Sequence, residues 1–112
     1  MKIILKGNPI SNNSLYKRGR GSSFYMTKEA KALKESYQWQ AKSRFKQKPL
    51  RDRMGIIVKL YFGNKRKHDY DNYGKLMNDS FNGIIWIDDS QIESAFIIKK
   101  YDPKNPRIEI TI

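Results

Sequence analysis

The chain has 112 residues, is 38% hydrophobic, and carries 23 Lys+Arg against 11 Asp+Glu, a net charge of +12. That length supports one core and hence a single domain, 1–112. The lack of cysteine excludes disulfides and thiolate zinc sites and fits a cytoplasmic setting, and no apolar run approaches the roughly 20 residues that cross a bilayer. A cation surplus of this size favours a polyanionic partner, nucleic acid before a membrane surface.

In chain order, Lys2–Lys6 (KIILK) reads as a short strand. The stretch Gly7–Ser23 is rich in Gly, Ser, Asn and Pro, which is loop chemistry. It carries Lys17, Arg18 and Arg20, either as a phosphate-tracking loop or as an ordinary solvated one. From Thr27, a capping residue followed by Glu29 in the first turn, Ala30, Leu33, Tyr37, Ala41 and Phe45 recur at helical spacing. Trp39 lies off that stripe. Gly55–Phe62 (GIIVKLYF) alternates, with Ile56, Val58, Leu60 and Phe62 on one face. A basic turn, Lys65, Arg66 and Lys67, precedes the acidic stretch. A second helix is expected over about 72–81, closed by Asn82-Gly83. Gln91–Tyr101 and Arg107–Ile112 read as the last strands, with a turn at Pro103–Pro106. The order β-α-β-α-β-β implies an α+β domain, its mixed sheet covered by helices mainly on one face.

The unusual segment is HDYDNYGKLMND, residues 68–79. Five of the seven aspartates fall between Asp69 and Asp89, in a chain with no carboxylate to spare. Placed at a strand end, Asp69 and Asp71 leave the same side of the backbone and repel. A divalent cation relieves that repulsion, and Mg²⁺ favours one or two carboxylates with water and phosphate completing its shell. Lys75 and Asp79 follow at helical intervals, stacking acid, cation and acid on one ridge. Each fragment alone has a plain structural reading: Asp71 or Asn72 as a helix cap, Asp71–Lys75–Asp79 as exposed ion pairs, Asp88-Asp89 as turn residues. Taken together in a strongly basic chain, they favour a metal site that meets phosphate. Such a site suits a nuclease, in which a cation reverses the local sign for an approaching phosphodiester and a lysine steadies the transition state. No phosphate-cradling GxxxxGK[ST] loop is present, so no nucleotide cofactor is expected. His68, beside the cluster, reads as a bystander or phosphate contact before a general base.

The run D-Y-D-N-Y-G-K with Asp79, then W-I-D-D-S-Q-I, resembles the RusA-type Holliday-junction resolvases of bacteria and their prophages. The N-terminal P-I-S-N-N resembles that family's P-P-S-N-N, with Ile10 in place of the second proline. The resemblance covers nearly the whole chain. It implies a homodimeric endodeoxyribonuclease, dependent on Mg²⁺ with Mn²⁺ as a substitute, that nicks opposed strands of a four-way DNA junction. By position it makes Asp69, Asp71 and Asp89 the acidic ligands, Lys75 the catalytic lysine and Asn72 the cap of its helix. The segment between the two motifs is one residue shorter than the family pattern, which sets Asp88 against Asp89 for the third ligand. Two-fold symmetry of a junction independently asks for two sites and thus a dimer. Lys65, Arg66 and Lys67 would position phosphate rather than read bases. Two rivals stand beside this reading: a less selective branched-DNA nuclease, and a non-enzymatic basic nucleic-acid-binding domain whose aspartates are structural.

Overall fold

A computed structural model describes residues 1–21 and 23–112; Ser22, inside the stretch read as loop, lies outside them. In chain order the elements are β1 (Lys2–Lys6), β2 (Tyr16–Arg18), β3 (Phe24–Met26), α1 (Lys28–Arg44), β4 (Met54–Phe62), α2 (Gly74–Phe81), β5 (Ile92–Tyr101) and β6 (Arg107–Thr111). Four strands form a mixed sheet in the order β1-β6-β4-β5, parallel only between β4 and β5. Parallel neighbours need a crossover, and α2 supplies it. The α+β class is that expected from the sequence, and so is the order of the sheet strands and helices, β1-α1-β4-α2-β5-β6.

Alternation decides the faces. Ile3 and Leu5, Ile56 to Phe62 at every second position, and Ile108 and Ile110 are buried, and they join Ala30, Tyr37, Ala41, Leu76, Phe81 and Trp86 in one core. Both helices therefore lie on one face of the sheet. Thr27 caps α1 by accepting from the Ala30 amide at 3.2 Å. The off-stripe Trp39 is 71% exposed. Among the described residues no helix is long and apolar enough to cross a membrane.

Three local expectations are corrected. The stretch Gly7–Ser23 is not all loop: it holds a 3-10 turn at Asn12–Ser14 and strand β2, which pairs with β3 as a separate two-stranded ribbon. The second helix starts at Gly74, with Tyr73 at its N-cap position and no local side-chain cap, so Asn72 does not cap it. Asp69 and Asp71 do not end a strand, because β4 stops at Phe62 and the Asn72 amide folds back to the Asp69 carbonyl at 3.1 Å. Asp69–Asn72 is a tight turn, and the argument from extended backbone does not apply to it.

Candidate active site

The acidic turn is held from the far end of the chain. The Asn12 amide donates to the Asn72 carbonyl at 2.7 Å, and the Asn12 side-chain oxygen accepts from the Lys75 amide at 3.3 Å. The first N–H groups of a helix have no partner within it. Here Asn12 supplies the acceptor that the local sequence lacks, and it ties the PISNN segment to the lysine of the acidic motif. Lys75 itself is half exposed and reaches Asp79 one turn on, at 3.5 Å.

His68 is fixed rather than free. Its ring stacks on Phe62 with centroids 3.7 Å apart. Nε2 lies 3.0 Å from the Asn64 side-chain oxygen, and Nδ1 lies 2.7 Å from the Tyr73 hydroxyl. The Asn64 oxygen also accepts from the Arg66 amide at 3.0 Å, which makes it an acceptor and puts the imidazole proton on Nε2. In the neutral ring Nδ1 then accepts from Tyr73. Burial, and after it the negative charge of Asp69, push the Tyr73 phenol up from its ordinary value and keep it a donor. With both nitrogens engaged, His68 clips the acidic turn to the end of β4 and is not poised as a general base.

The second acidic motif separates into two roles. Asp88 caps a 3-10 turn: its carboxylate accepts from the Ser90 amide at 3.0 Å, and its own amide donates to Gln91 at 2.9 Å. The hydrogen bond from Ser90 holds the Asp88 carboxyl below its usual range. Gln91 in turn anchors to the Leu50 and Asp52 carbonyls, at 2.8 and 3.0 Å. Asp89 is half buried, and among the described residues its carboxylate makes one long contact, accepting from the Asn82 side-chain amide at 3.4 Å. Asn82 is set by the indole N–H of buried Trp86, which donates to its oxygen at 2.8 Å. Asp89 lines a largely apolar cavity of about 210 Å³ together with Tyr70, the residue between Asp69 and Asp71. The two acidic motifs thus border one hollow, floored by Val58 and Ile97 of the parallel strand pair.

Among the described residues, the exposed carboxylates of Asp69 and Asp71 make no hydrogen bond or ion pair, whereas Asp79, Asp88 and Asp102 are all engaged. Asp69 and Asp71 are therefore free and Asp89 is held only by its long contact to Asn82, with Asp52 standing elsewhere. By chemistry these three are the hard oxygen donors that Mg²⁺ or Mn²⁺ takes. They stand apart: among the described residues no three acidic or histidine side chains gather into one metal-binding group.

The cationic residues flank this hollow. Lys17 of β2 and the turn residues Arg66 and Lys67 line a single polar groove of about 610 Å³ that also touches Asn13, His68 and Tyr73. Arg18 and Arg20 are exposed farther out on the β2–β3 ribbon. Lys65 lies 5.0 Å over the Tyr101 ring. Parallel pairing sets Leu60 opposite Lys99 and Tyr61 opposite Lys100, so Lys99 and Lys100 join the basic turn in a neighbouring groove. Lys99 also donates to the His68 carbonyl at 2.6 Å. Sequence reading passed over Lys99 and Lys100, and it took Asn12 only as part of P-I-S-N-N and Asn82 only as the close of the second helix. The two lysines were hidden by an unknown register, and Asn12 stood inside a motif whose partner could not be seen.

A small basic domain with free carboxylates and a lysine on and just after one turn, and a cationic groove nearby, has the composition of an enzyme that works on phosphodiesters. The chain belongs to the endodeoxyribonuclease RusA family, whose model matches residues 6–112. It is 27% identical over 105 residues to the crossover junction endodeoxyribonuclease RusA of Escherichia coli strain K12, to that of Shigella sonnei strain Ss046, and to that of enterobacteria phage 82. Each alignment covers 93% of this chain and 87% of the relative. The family is one of nucleases.

Proposed function

We propose that the chain is a structure-selective endodeoxyribonuclease that resolves four-way DNA junctions by paired nicks, acting as a homodimer. The observation that carries this reading is the pair of free carboxylates, Asp69 and Asp71, on either side of Tyr70, which lines one hollow with Asp89, while Lys17, Arg66 and Lys67 line a groove that shares Tyr73 with that hollow. The names of the relatives point to the same substrate.

Lys17, Arg66 and Lys67 bind the phosphates of one strand and carry it past the acidic turn; their contacts fix position rather than base sequence. Asp69, Asp71 and Asp89 would hold Mg²⁺, or Mn²⁺ in its place, which when bound would supply charge neutralisation and Lewis acidity at the scissile phosphate. Lys75, aimed by its helix and restrained by Asp79, places a positive charge where the pentavalent phosphorus gathers negative charge. Asp88, His68 and Asn82 hold these groups in place. Two copies meet the two-fold symmetry of the junction, one site per opposed strand.

The test compares a labelled synthetic four-way junction with a matched linear duplex, with and without Mg²⁺, for the parent and for Asp71→Asn. Paired Mg²⁺-dependent nicks confined to the junction and lost in the variant are expected. Cleavage of branched and linear DNA alike would sink junction selectivity, and tight binding with no cleavage under Mg²⁺ or Mn²⁺ would leave a non-enzymatic binder.

A further inference from the structure

The β2–β3 ribbon has no place in the main sheet, and a two-stranded hairpin alone is marginal in water. This one is nonetheless tied down at its base and closed on itself at its turn. At its base Leu15 is fully buried, and the Thr27 amide donates to the Leu15 carbonyl at 2.8 Å. At its tip the Gly19 amide donates to the Ser23 carbonyl at 2.8 Å, and the Ser23 hydroxyl to the Arg20 carbonyl at 2.7 Å. Gly21 there has a φ of +68°, a value that suits glycine.

This fixed ribbon displays aromatic rings to solvent. Phe24 is 69% exposed, the most of the five phenylalanines, and it pairs across the ribbon with Arg18; Tyr25 is 54% exposed and pairs with Lys17. Phenylalanine has no polar atom to justify such exposure, whereas Phe45, Phe62 and Phe81 are all buried in the core. The ribbon is also a wall shared by two grooves. Tyr16 and Lys17 line the groove of Arg66 and Lys67, and Tyr25 lines a second groove with Lys31 and Lys34, where Glu35 also sits.

Resting on the branched-DNA reading above, we propose that the β2–β3 ribbon is a branch-point probe, with Phe24 stacking on a base left unstacked where strands exchange. An apolar ring on a ribbon between two cationic channels fits the place where two nucleic-acid arms diverge. It finds no partner on continuous duplex, whose base faces are covered by their neighbours. Lys17 and Arg18 hold the flanking phosphates, and the ring replaces the stacking surface that the branch removes.

The experiment uses the full chain in the cleavage-silent Asp71→Asn background, with a four-way junction carrying 2-aminopurine at the crossover and with a linear duplex of the same composition. Adding Phe24→Ala should weaken junction binding about tenfold while leaving duplex binding within about twofold. It should also abolish the change in 2-aminopurine fluorescence, and Phe24→Trp should restore both signals. Arg18→Ala should weaken both DNAs in a salt-dependent way. Phe24 is on the surface, so melting temperatures of the variants should match the parent. The probe is overturned if the parent prefers the junction and Phe24→Ala keeps that preference, or if junction and duplex are lost equally. A parent with no junction preference would overturn the branched-DNA reading itself, and the probe with it.

Discussion

Two clusters of opposite charges sit on the same small sheet and are built in opposite ways. On the uncovered face, Arg107 donates to Glu109 at 2.7 Å and to Asp102 at 2.8 Å, Lys2 reaches Glu109 at 3.0 Å, and the guanidinium lies 3.6 Å over the Tyr61 ring. Each of these four charged groups has a partner. Burial alone would raise the Glu109 carboxyl, but hydrogen bonds from Arg107 and Lys2 outweigh it and hold the group below its ordinary value. The hydrogen bond from Arg107 likewise lowers Asp102. At the turn following β4, by contrast, Asp69 and Asp71 pair with nothing among the described residues, and Lys75 has only a loose contact with Asp79. A saturated network stabilises the sheet, whereas an unsaturated one is available to a ligand.

The largest effect that would break this contrast lies in the acidic turn. Asp71→Asn should lower junction cleavage by about a thousandfold or more, with DNA binding retained or tightened and no loss in melting temperature. If the variant instead melted early and still cut, the aspartate would be structural and the two clusters would be alike.

Next in size is Glu109→Gln. Breaking a buried ion pair costs about 3–5 kcal/mol, and here about 2–3 kcal/mol is expected because Arg107 keeps Asp102 and Lys2 is half exposed. Cleavage per folded molecule should not change. Because the folded-state value of Glu109 is lowered, its contribution is complete above the ordinary glutamate range near ~4.3 and is lost as pH falls through the folded value. The stability gap between parent and variant, measured by urea denaturation, should therefore be widest near neutrality and close in acid. A gap independent of pH would show that packing, not charge, sets it.

Asn12→Ala tests the tie between the two ends of the chain. Loss of a helix cap costs about 1 kcal/mol. Misplacing Lys75 should slow junction cleavage about tenfold with binding intact, and Asn12→Asp, which keeps the acceptor, should restore much of the rate. Equal loss of rate and binding would assign Asn12 to the DNA groove instead.

That residue also marks how far the sequence could be read. The strands were legible because GIIVKLYF and RIEITI alternate against a one-sided core, and α1 because its stripe recurs at three and four. The β2–β3 ribbon was not, since its short strands turn aromatic and basic side chains to solvent and leave no buried face to pattern. The start of α2 was misplaced because its cap comes from 63 residues away. Asp69 and Asp71 were assigned to a strand end, yet β4 stops where the Gly63 amide turns to the Asn8 side chain at 2.9 Å. The candidate residues were legible as a set, and their geometry was not. The division of labour between Asp88 and Asp89 did carry a signal: Asp88-Asp89-Ser90-Gln91 has the acidic-to-glutamine spacing of a capping box.

The smallest predicted effect separates the one ion pair that the acidic turn does own from the network across the sheet. Lys75 and Asp79 are neighbours on a helix, with side chains 51% and 34% exposed. Pairs of this kind are worth about 0.3–0.5 kcal/mol. Asp79→Asn should therefore barely move the melting temperature, in contrast to Glu109→Gln. If the pair restrains Lys75 in the position where it acts, the variant should lose a few-fold in cleavage rate, and the loss should grow at low salt, where the pair is least screened. If the pair is only an exposed contact, rate and salt dependence should match the parent. Single-turnover cleavage of the junction across a salt series distinguishes the two, because it reads the chemical step apart from binding.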